Sequence, residues 1–452
     1  MELLLVRPRP VKNESAIGFL LRVCEENGFS SLSDLDRLSE CSNRQYPGLT
    51  FIRSVIRCTE VDHKIRGPIT GLRHLKDVDP EGLKLHYWNG LRPRFCPRCL
   101  AESAHWRALW DLSLVVACPI HRIQLIQECV ICRHALTWKR TRVAACNCDH
   151  ELANSPTVDA SSGCTALAAY AMAAMDEREP YHPVDQTYVG GLKLESLLEL
   201  VVLLGGYACS GTARPTKIAG LQDVALATRI VEAAADALID WPIGYHAFLR
   251  QMESEGVSRG NGDRLTKRFG YFYTALYKGY SAPAFDFLRS GFESFVQREW
   301  SGQLARRNHR LSDSTLEGHG WLPLTVAAKQ LKMKRASVCS FITRGLLVGH
   351  LHTTRSGRIT GTVDRTSLER FCLETSTWLT LTEARKRLQI SRGRASDLMA
   401  AGTLQPVSGP TVDGRAIWKF SSAHVHPGRS VETPPLMVAQ IPPPCEAGLR
   451  VI

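Results

Sequence analysis

Apolar residues recur at helical spacing through most of this chain. Between Glu14 and Cys24, the side chains of Ile17, Leu20, Leu21 and Cys24 fall on one face, and Asn27-Gly28 offers a C-terminal cap. Leu32, Leu35 and Leu38 continue the period, whereas residues 44–90 are less readable. Four stronger helical segments follow: Leu192 to Leu204, ending at Gly205-Gly206; Ala225 to Ile239, stopped by Trp241-Pro242; Tyr245 to Met252, before the breaker-rich Glu255 to Asp263; and Phe285 to Trp300. The last lays Phe287, Leu288, Phe292, Phe295 and Val296 along one side and leads into the basic run Arg306 to Arg310. Asn154 to Thr165 and Ser312 to Gly320 read as linkers, and the proline-rich tail after Pro427 as flexible.

The segment beginning at Trp321 recurs at Trp378, an offset of 57. Trp321-Leu322 matches Trp378-Leu379, Leu324-Thr325 matches Leu381-Thr382, and Ala327, Leu331, Arg335, Gly345 and Leu347 match Ala384, Leu388, Arg392, Gly402 and Leu404. Each copy predicts two short helices, with Thr325 and Thr382 as N-caps and Met333-Lys334 and Ile390-Ser391 as turns. Gly345 and Gly402 end the second helix where a left-handed residue is needed. Helix, tight turn, helix, glycine and extended hairpin is the plan of a winged helix-turn-helix. Val338, Phe341 and Ile342 should face inward in the first copy, and Ala395, Leu398 and Met399 in the second. That leaves Lys334, Arg335, Ser337, Ser340 and Arg344, and Ser391, Arg392, Arg394 and Ser396, for phosphates or base edges. Arg355 and Arg358 flank Gly357 in the first wing, and Arg415 follows Gly414 in the second.

Charge strengthens the nucleic-acid reading. The 452-residue chain carries a net +12, and between Trp321 and Pro427 sixteen Lys or Arg stand against six Asp or Glu. Such a concentrated field steers toward double-stranded DNA. The N-terminus shows no signal-peptide pattern, and the longest apolar stretch, Leu197 to Cys209, is too short to span a bilayer, so no membrane association is expected.

Cysteine placement carries the most specific chemistry. Cys96-x-x-Cys99, Cys118-x-x-His121, Cys129-x-x-Cys132 and Cys146-x-Cys148 supply eight soft ligands, enough for two tetrahedral, structural Zn2+ ions. Spacing leaves open whether the pairs combine sequentially or interleave, and His134 and His150 are substitutes for one of the last thiolates. Single cysteines such as Cys24, Cys209 and Cys339 sit within apolar helical patterns, as suits a reducing cytoplasm. His-Glu-x-x-His, a His-x-Glu followed by Pro-Cys-x-x-Cys, and a phosphate-binding Gly-x-x-x-x-Gly-Lys loop are all absent, so catalysis is not expected.

Pro93-Arg94-Phe95-Cys96-Pro97-Arg98-Cys99-Leu100, then Trp106-Arg107, Trp110-Asp111, Cys118-Pro119-Ile120-His121 and Cys129-x-x-Cys132, resemble the TniQ/TnsD family of bacterial transposons. Glu14 to Arg22 followed by Asn27-Gly28 is similar to that family's opening helix. The second ligand set departs from the family: it closes with Cys-x-Cys and lacks the Cys-Gly that usually follows. The resemblance implies a non-catalytic, bacterial, nucleoid-associated target selector. It would recognise an insertion site on DNA directly or through an RNA-guided effector complex. It would also recruit a transposon AAA+ ATPase that delivers the transposase. A protein-interaction adaptor without its own sequence readout and a zinc-containing transcriptional regulator are the alternatives, and a homo-oligomer is compatible with any of them.

The expected architecture is mainly α and multidomain. Residues 1–90 form the N-terminal helical part of a TniQ-type domain, with a helix-turn-helix as one option, and 91–152 a double zinc-binding region. A helical domain spans 165–311, the two helix-turn-helix modules span 318–374 and 375–427, and the tail spans 428–452.

Overall fold

The computed structural model describes residues 4–32, 34, 35, 83, 85–89, 92–175, 189, 191–210, 220–238, 240–257, 264–304, 308–354 and 356–425. Leu38, most of 44–90, Arg306, Arg307, Arg355 and the tail after Pro427 therefore lie outside the described residues. The chain divides into two compact units: residues 1–300 with 304–318, and 301–303 with 319–452. Helices dominate, and the strands are short.

The first unit opens with α1, Ala16–Glu26, whose N-cap Ser15 accepts a hydrogen bond from the Gly18 N–H. Asn27 caps its end and Gly28 takes φ 73°, as Asn27-Gly28 suggested. The predicted face is buried, and so are Phe19 and Val23, because the helix is covered on more than one side. Gly18 explains how closely: a Cβ there would lie 2.3 Å from Trp106 Cβ. Glu14, just ahead of the helix, is buried and accepts two hydrogen bonds of 2.8 Å from the Arg22 guanidinium. Asp111 is fully buried. Burial pushes its carboxyl up to about 8, only partly offset by Ser15.

Beyond the cysteine-rich region, α3 (Ser162–Met175), α4 (Leu194–Ser210), α5 (Val224–Leu238) and α6 (Ile243–Val257) build the helical part, with α4 packed along α5. Short α7 (Leu265–Arg268) and α8 (Gly270–Lys278) precede α9, Asp286–Arg298. In α9, Leu288, Phe292, Phe295 and Val296 are buried as the periodicity required, with Phe287 packed at the edge. One hydrophobic cluster runs from Ile17 through Trp106 to Leu311. Among the described residues, no helix is long and apolar enough to cross a membrane.

Three expectations change here. Gly205-Gly206 does not end its helix; α4 continues to Ser210. A Cβ on Gly205 would lie 2.0 Å from the Ile230 carbonyl oxygen, so the glycine permits close approach of α4 and α5. The expected linker around Ser312 to Gly320 contains α10, Asp313–Gly318. Glu293 on α9 accepts hydrogen bonds from the Ser312 N–H at 3.2 Å and the Thr315 hydroxyl at 2.7 Å, which ties the segment down. Asn154 to Thr165 is likewise pinned: Gln124 N–H donates to the Val158 carbonyl at 2.8 Å, and α3 begins inside the stretch.

In the second unit, β1 (Trp321–Pro323), α11 (Leu324–Gln330) and α12 (Arg335–Thr343) lead to the hairpin β2 (Gly349–Thr353) and β3 (Ile359–Asp364), then α13, Arg365–Ser376. The sheet is antiparallel in the order β1-β3-β2. The second copy gives β4 (Leu379–Thr380), α14 (Leu381–Leu388), α15 (Arg392–Ala400) and β5 (Lys419–Phe420), with β4 paired to β5. Thr325 and Thr382 prove to be second residues of their helices. The N-cap positions are Pro323, which offers no side-chain cap, and Thr380, which forms a reciprocal capping box with Glu383. Lys332 and Gln389 take the left-handed turn between the helices, at φ 53° and 55°, and Gly345 and Gly402 end the second helix at 73° and 72°.

Two measurements check this account. In urea unfolding, Gly205→Ala should cost about 1–3 kcal/mol because a backbone carbonyl blocks the new methyl. Gly393→Ala, on a helix with open space around it, should gain about 0.5–1 kcal/mol. Asp111 supplies a pH test: unfolded it ionises near 3.8, while the folded chain keeps the proton up to about 8. Its contribution to stability therefore falls as pH rises between those values. Asp111→Asn should flatten the decline in urea midpoint between pH 6 and pH 8; an unchanged slope contradicts the assignment.

Candidate metal centres

The first ligand set is built by α2, Pro97–Glu102, and a tight turn opposite it. Cys96 is the N-cap of α2, and Pro97 suits the first helical position because its missing N–H would have no partner there. The Cys99 and His121 N–H groups point at Cys96 Sγ and Cys118 Sγ, at 3.5 and 3.4 Å. Phe95 pairs across to Ile126, and Ala117 to Gln124, which brings the two loops together.

The ligand atoms of Cys96, Cys99, Cys118 and His121 all lie within 4.8 Å of one another, and so do those of Cys129, Cys132, Cys146 and Cys148. Sequential pairing is therefore the observed arrangement. A tetrahedral zinc sets sulfur–sulfur edges of about 3.8 Å and sulfur–nitrogen edges of about 3.5 Å. Cys99 and Cys118 Sγ are 3.6 Å apart, and His121 Nδ1 lies 3.3 to 3.6 Å from the three sulfurs. In the second set, Cys129 to Cys148 is 3.6 Å and Cys132 to Cys146 is 3.7 Å. Both sets fit the ion, and these separations match the edges such a coordination shell would have. His134 and His150 are not needed; His150 Nε2 sits 3.3 Å from the Ser155 hydroxyl.

The electrostatics also ask for a cation. Contacts with Cys96 and Cys99 hold the Cys118 thiol far below its ordinary range, while contacts with Cys118 and Cys96 push Cys99 far up. In the second set, burial opposes ionisation of Cys129, yet the Cys132 and Ile131 backbone N–H groups and Cys148 bring it down to about 7. Burial pushes Cys146 up to about 12. A divalent ion would favour the ionised thiols of each set, coupling metal binding to folding.

Three supporting features were not anticipated from the ligand spacing. Glu102 Oε1 lies 2.8 Å from His121 Nε2, so the carboxylate orients the imidazole and leaves Nδ1 for metal. Its position at the end of α2 gives no signal in the ligand spacing. Arg122, Arg133 and Asp149, each directly after the second ligand of a pair, take φ of 57°, 60° and 62°. The turn needs a left-handed residue there, which is the physical reason a glycine would suit it. Arg140 is buried with its guanidinium over Trp106 at 4.4 Å and Trp138 at 5.0 Å. It thereby joins the loop between the third and fourth pairs to the Trp106–Trp110 edge contact at 5.5 Å.

The cysteine-rich region is also fastened to the helices. Arg94 is wholly buried, donates to the Ser113, Val115 and Leu221 carbonyls at 2.7 to 3.1 Å, and is lowered to about 10 by burial. Gln127 Oε1 accepts the Val224 N–H at 2.9 Å, at the start of α5.

The nine residues expected at DNA are spread along the second unit. Lys334, Arg344, Arg358, Arg392 and Arg394 are exposed, and Arg415 is half-buried. Arg335 is half-buried and donates to the Ile359 carbonyl on β3, while Arg344 donates to the Val407 carbonyl at 2.9 Å. Ser337 is buried, contrary to its expected outward placement, because the first turn of α12 presses it toward the Val338 and Phe341 side. The Ser391 hydroxyl is taken up as the N-cap of α15. Arg355 is outside the described residues.

Replacing Glu102 by Gln should lower zinc affinity at the first set about 10–100-fold in a chelator competition, while total metal in the purified wild type reads two zinc per chain. An unchanged affinity would remove Glu102 from the site.

No curated protein matches the chain. Residues 5–125 match the family model TniQ, a span that includes α1, Arg94, the Trp106–Trp110 pair and the whole first ligand set, and stops short of Cys129. Over residues 5–125, then, the chain is similar to the TniQ family.

Proposed function

We propose that the chain is a non-catalytic, zinc-stapled adaptor that selects the target site for DNA transposition. The single observation carrying this reading is the TniQ match over residues 5–125. It is supported by two ligand sets in which protein supplies all four positions, leaving no place on either ion for substrate water. In this reading the two C-terminal repeats are winged helix-turn-helix modules. The order of strand, helix, turn, helix and hairpin, with β1 paired to β3, favours that identity for the first. Lys334, Arg358, Arg392 and Arg394 then face the phosphates of duplex DNA. Another surface of the chain recruits the AAA+ ATPase and, through it, the transposase.

Salt-dependent binding to random duplex DNA tests this function. Arg392→Ala and Arg394→Ala should each reduce the slope of log Kobs against log salt by about 0.9, the increment for one neutralised phosphate. Absence of duplex affinity at low salt would overturn the DNA-reading role and leave the repeats as docking units for an effector complex.

A further inference from the structure

The repeats do not meet as two beads on a string. α13 of the first copy ends at Ser376 and β4 of the second begins at Leu379, so only Thr377 and Trp378 intervene. Trp378 is the counterpart of Trp321 by the repeat, yet the two do different work. Trp321 is half-buried and stacks on His350 within its own module, with centroids 4.9 Å apart. Trp378 is buried in the core of the preceding module, edge-on to Phe371 at 5.5 Å and to Phe341 at 6.0 Å.

A second tie comes from the other direction. Val407 is held in the second module by its N–H bond to the Lys419 carbonyl at 2.8 Å, next to β5. Its side chain packs against the first module's core. Arg344, at the end of α12, donates to the Val407 carbonyl at 2.9 Å. The joint is thus closed by an aromatic anchor at one point and an apolar contact with a charge-assisted hydrogen bond at the other.

We infer that the two repeats form one reader with fixed geometry, and that Arg344 is a positioning residue of the joint, not a phosphate contact. This rests on the DNA-binding reading above for its consequence, though the joint itself can be tested without DNA. Flexibly linked modules gain from effective concentration and tolerate variable spacing. A locked pair fits a contiguous duplex site in which the positions met by α12 and α15 have one separation along the groove.

Two measurements decide it. Encoded unnatural amino acids carrying a fluorophore pair at Thr353 and Ser396 of the full chain should give a single narrow distance distribution. Trp378→Ala should broaden it, and Arg344→Ala, a milder change that leaves the aromatic anchor, should broaden it less. A broad wild-type distribution, or no response to either change in folded protein, overturns the joint. On duplexes selected from a random library, inserting two to five base pairs between the protected halves should weaken wild-type binding at least tenfold. Spacing tolerance in the wild type overturns the single-reader inference. Arg344→Ala should keep the wild-type salt slope; a slope reduced by about 0.9 would return Arg344 to the phosphate contacts. Should no duplex bind at any salt concentration, the transposition-target reading fails on its DNA limb, while the distance distributions still decide whether the repeats are locked.

Discussion

The cysteine-rich region depends on the convergence of eight soft side-chain atoms into two tight sets. Between Arg92 and Asn154 regular structure amounts to one six-residue helix and short 3-10 turns, with isolated bridges between loops. A segment so poor in secondary structure has few long ladders to hold it, and a four-coordinate ion held by these ligands would offset the chain entropy instead. Everything nearby is arranged around that closure. The left-handed turns at Arg122, Arg133 and Asp149 aim the ligands, Glu102 orients the single imidazole, and the Trp110 and Trp138 rings pack edge-on against Trp106 in the same core.

That hub is continuous with the helices on either side of it in sequence. Gly18 lets α1 approach Trp106 to a distance no side chain would permit, and Arg94 reaches the carbonyl of Leu221 through the core. Burying a guanidinium is costly unless its donors are satisfied. Here three carbonyls accept from the two terminal nitrogens of Arg94, while its Nε has no hydrogen-bond partner; the contacts make it a staple between segments more than a hundred residues apart. The Gln127 amide does the same for the start of α5, accepting the Val224 N–H and donating to the Gln222 carbonyl.

The second unit shows how a duplicated pattern diverges once the copies touch. Left-handed turns and terminal glycines recur at the offset of 57, because both copies need the same backbone path between their helices. The caps differ: Thr380 makes a reciprocal box with Glu383, while Pro323 enters its helix without a side-chain bond. The cores differ as well. The first holds Phe341, Phe371 and Trp378 together, whereas the second is a small cluster of Ala384, Ala395, Leu404, Phe420 and Val425.

The ligands, the helical periods and the repeat are all legible in the linear order of residues. Ligand pairs two or three residues apart are local geometry, and so are the buried stripe of α9 and the glycines at 345 and 402. The family signature is legible for the same reason, since the motif residues lie within one short span. Packing settles whatever involves partners far along the chain. The pairing of ligand sets, the use of Gly205 as a contact instead of a terminator, and the capture of Arg335 and Arg344 by the carbonyls of Ile359 and Val407 all belong here. A charged side chain on an expected outer face looks free in a linear pattern; only the packed chain shows which carbonyl already holds it. Spacing specifies neighbours within a turn or two, and contacts across tens of residues exist only after the elements have packed.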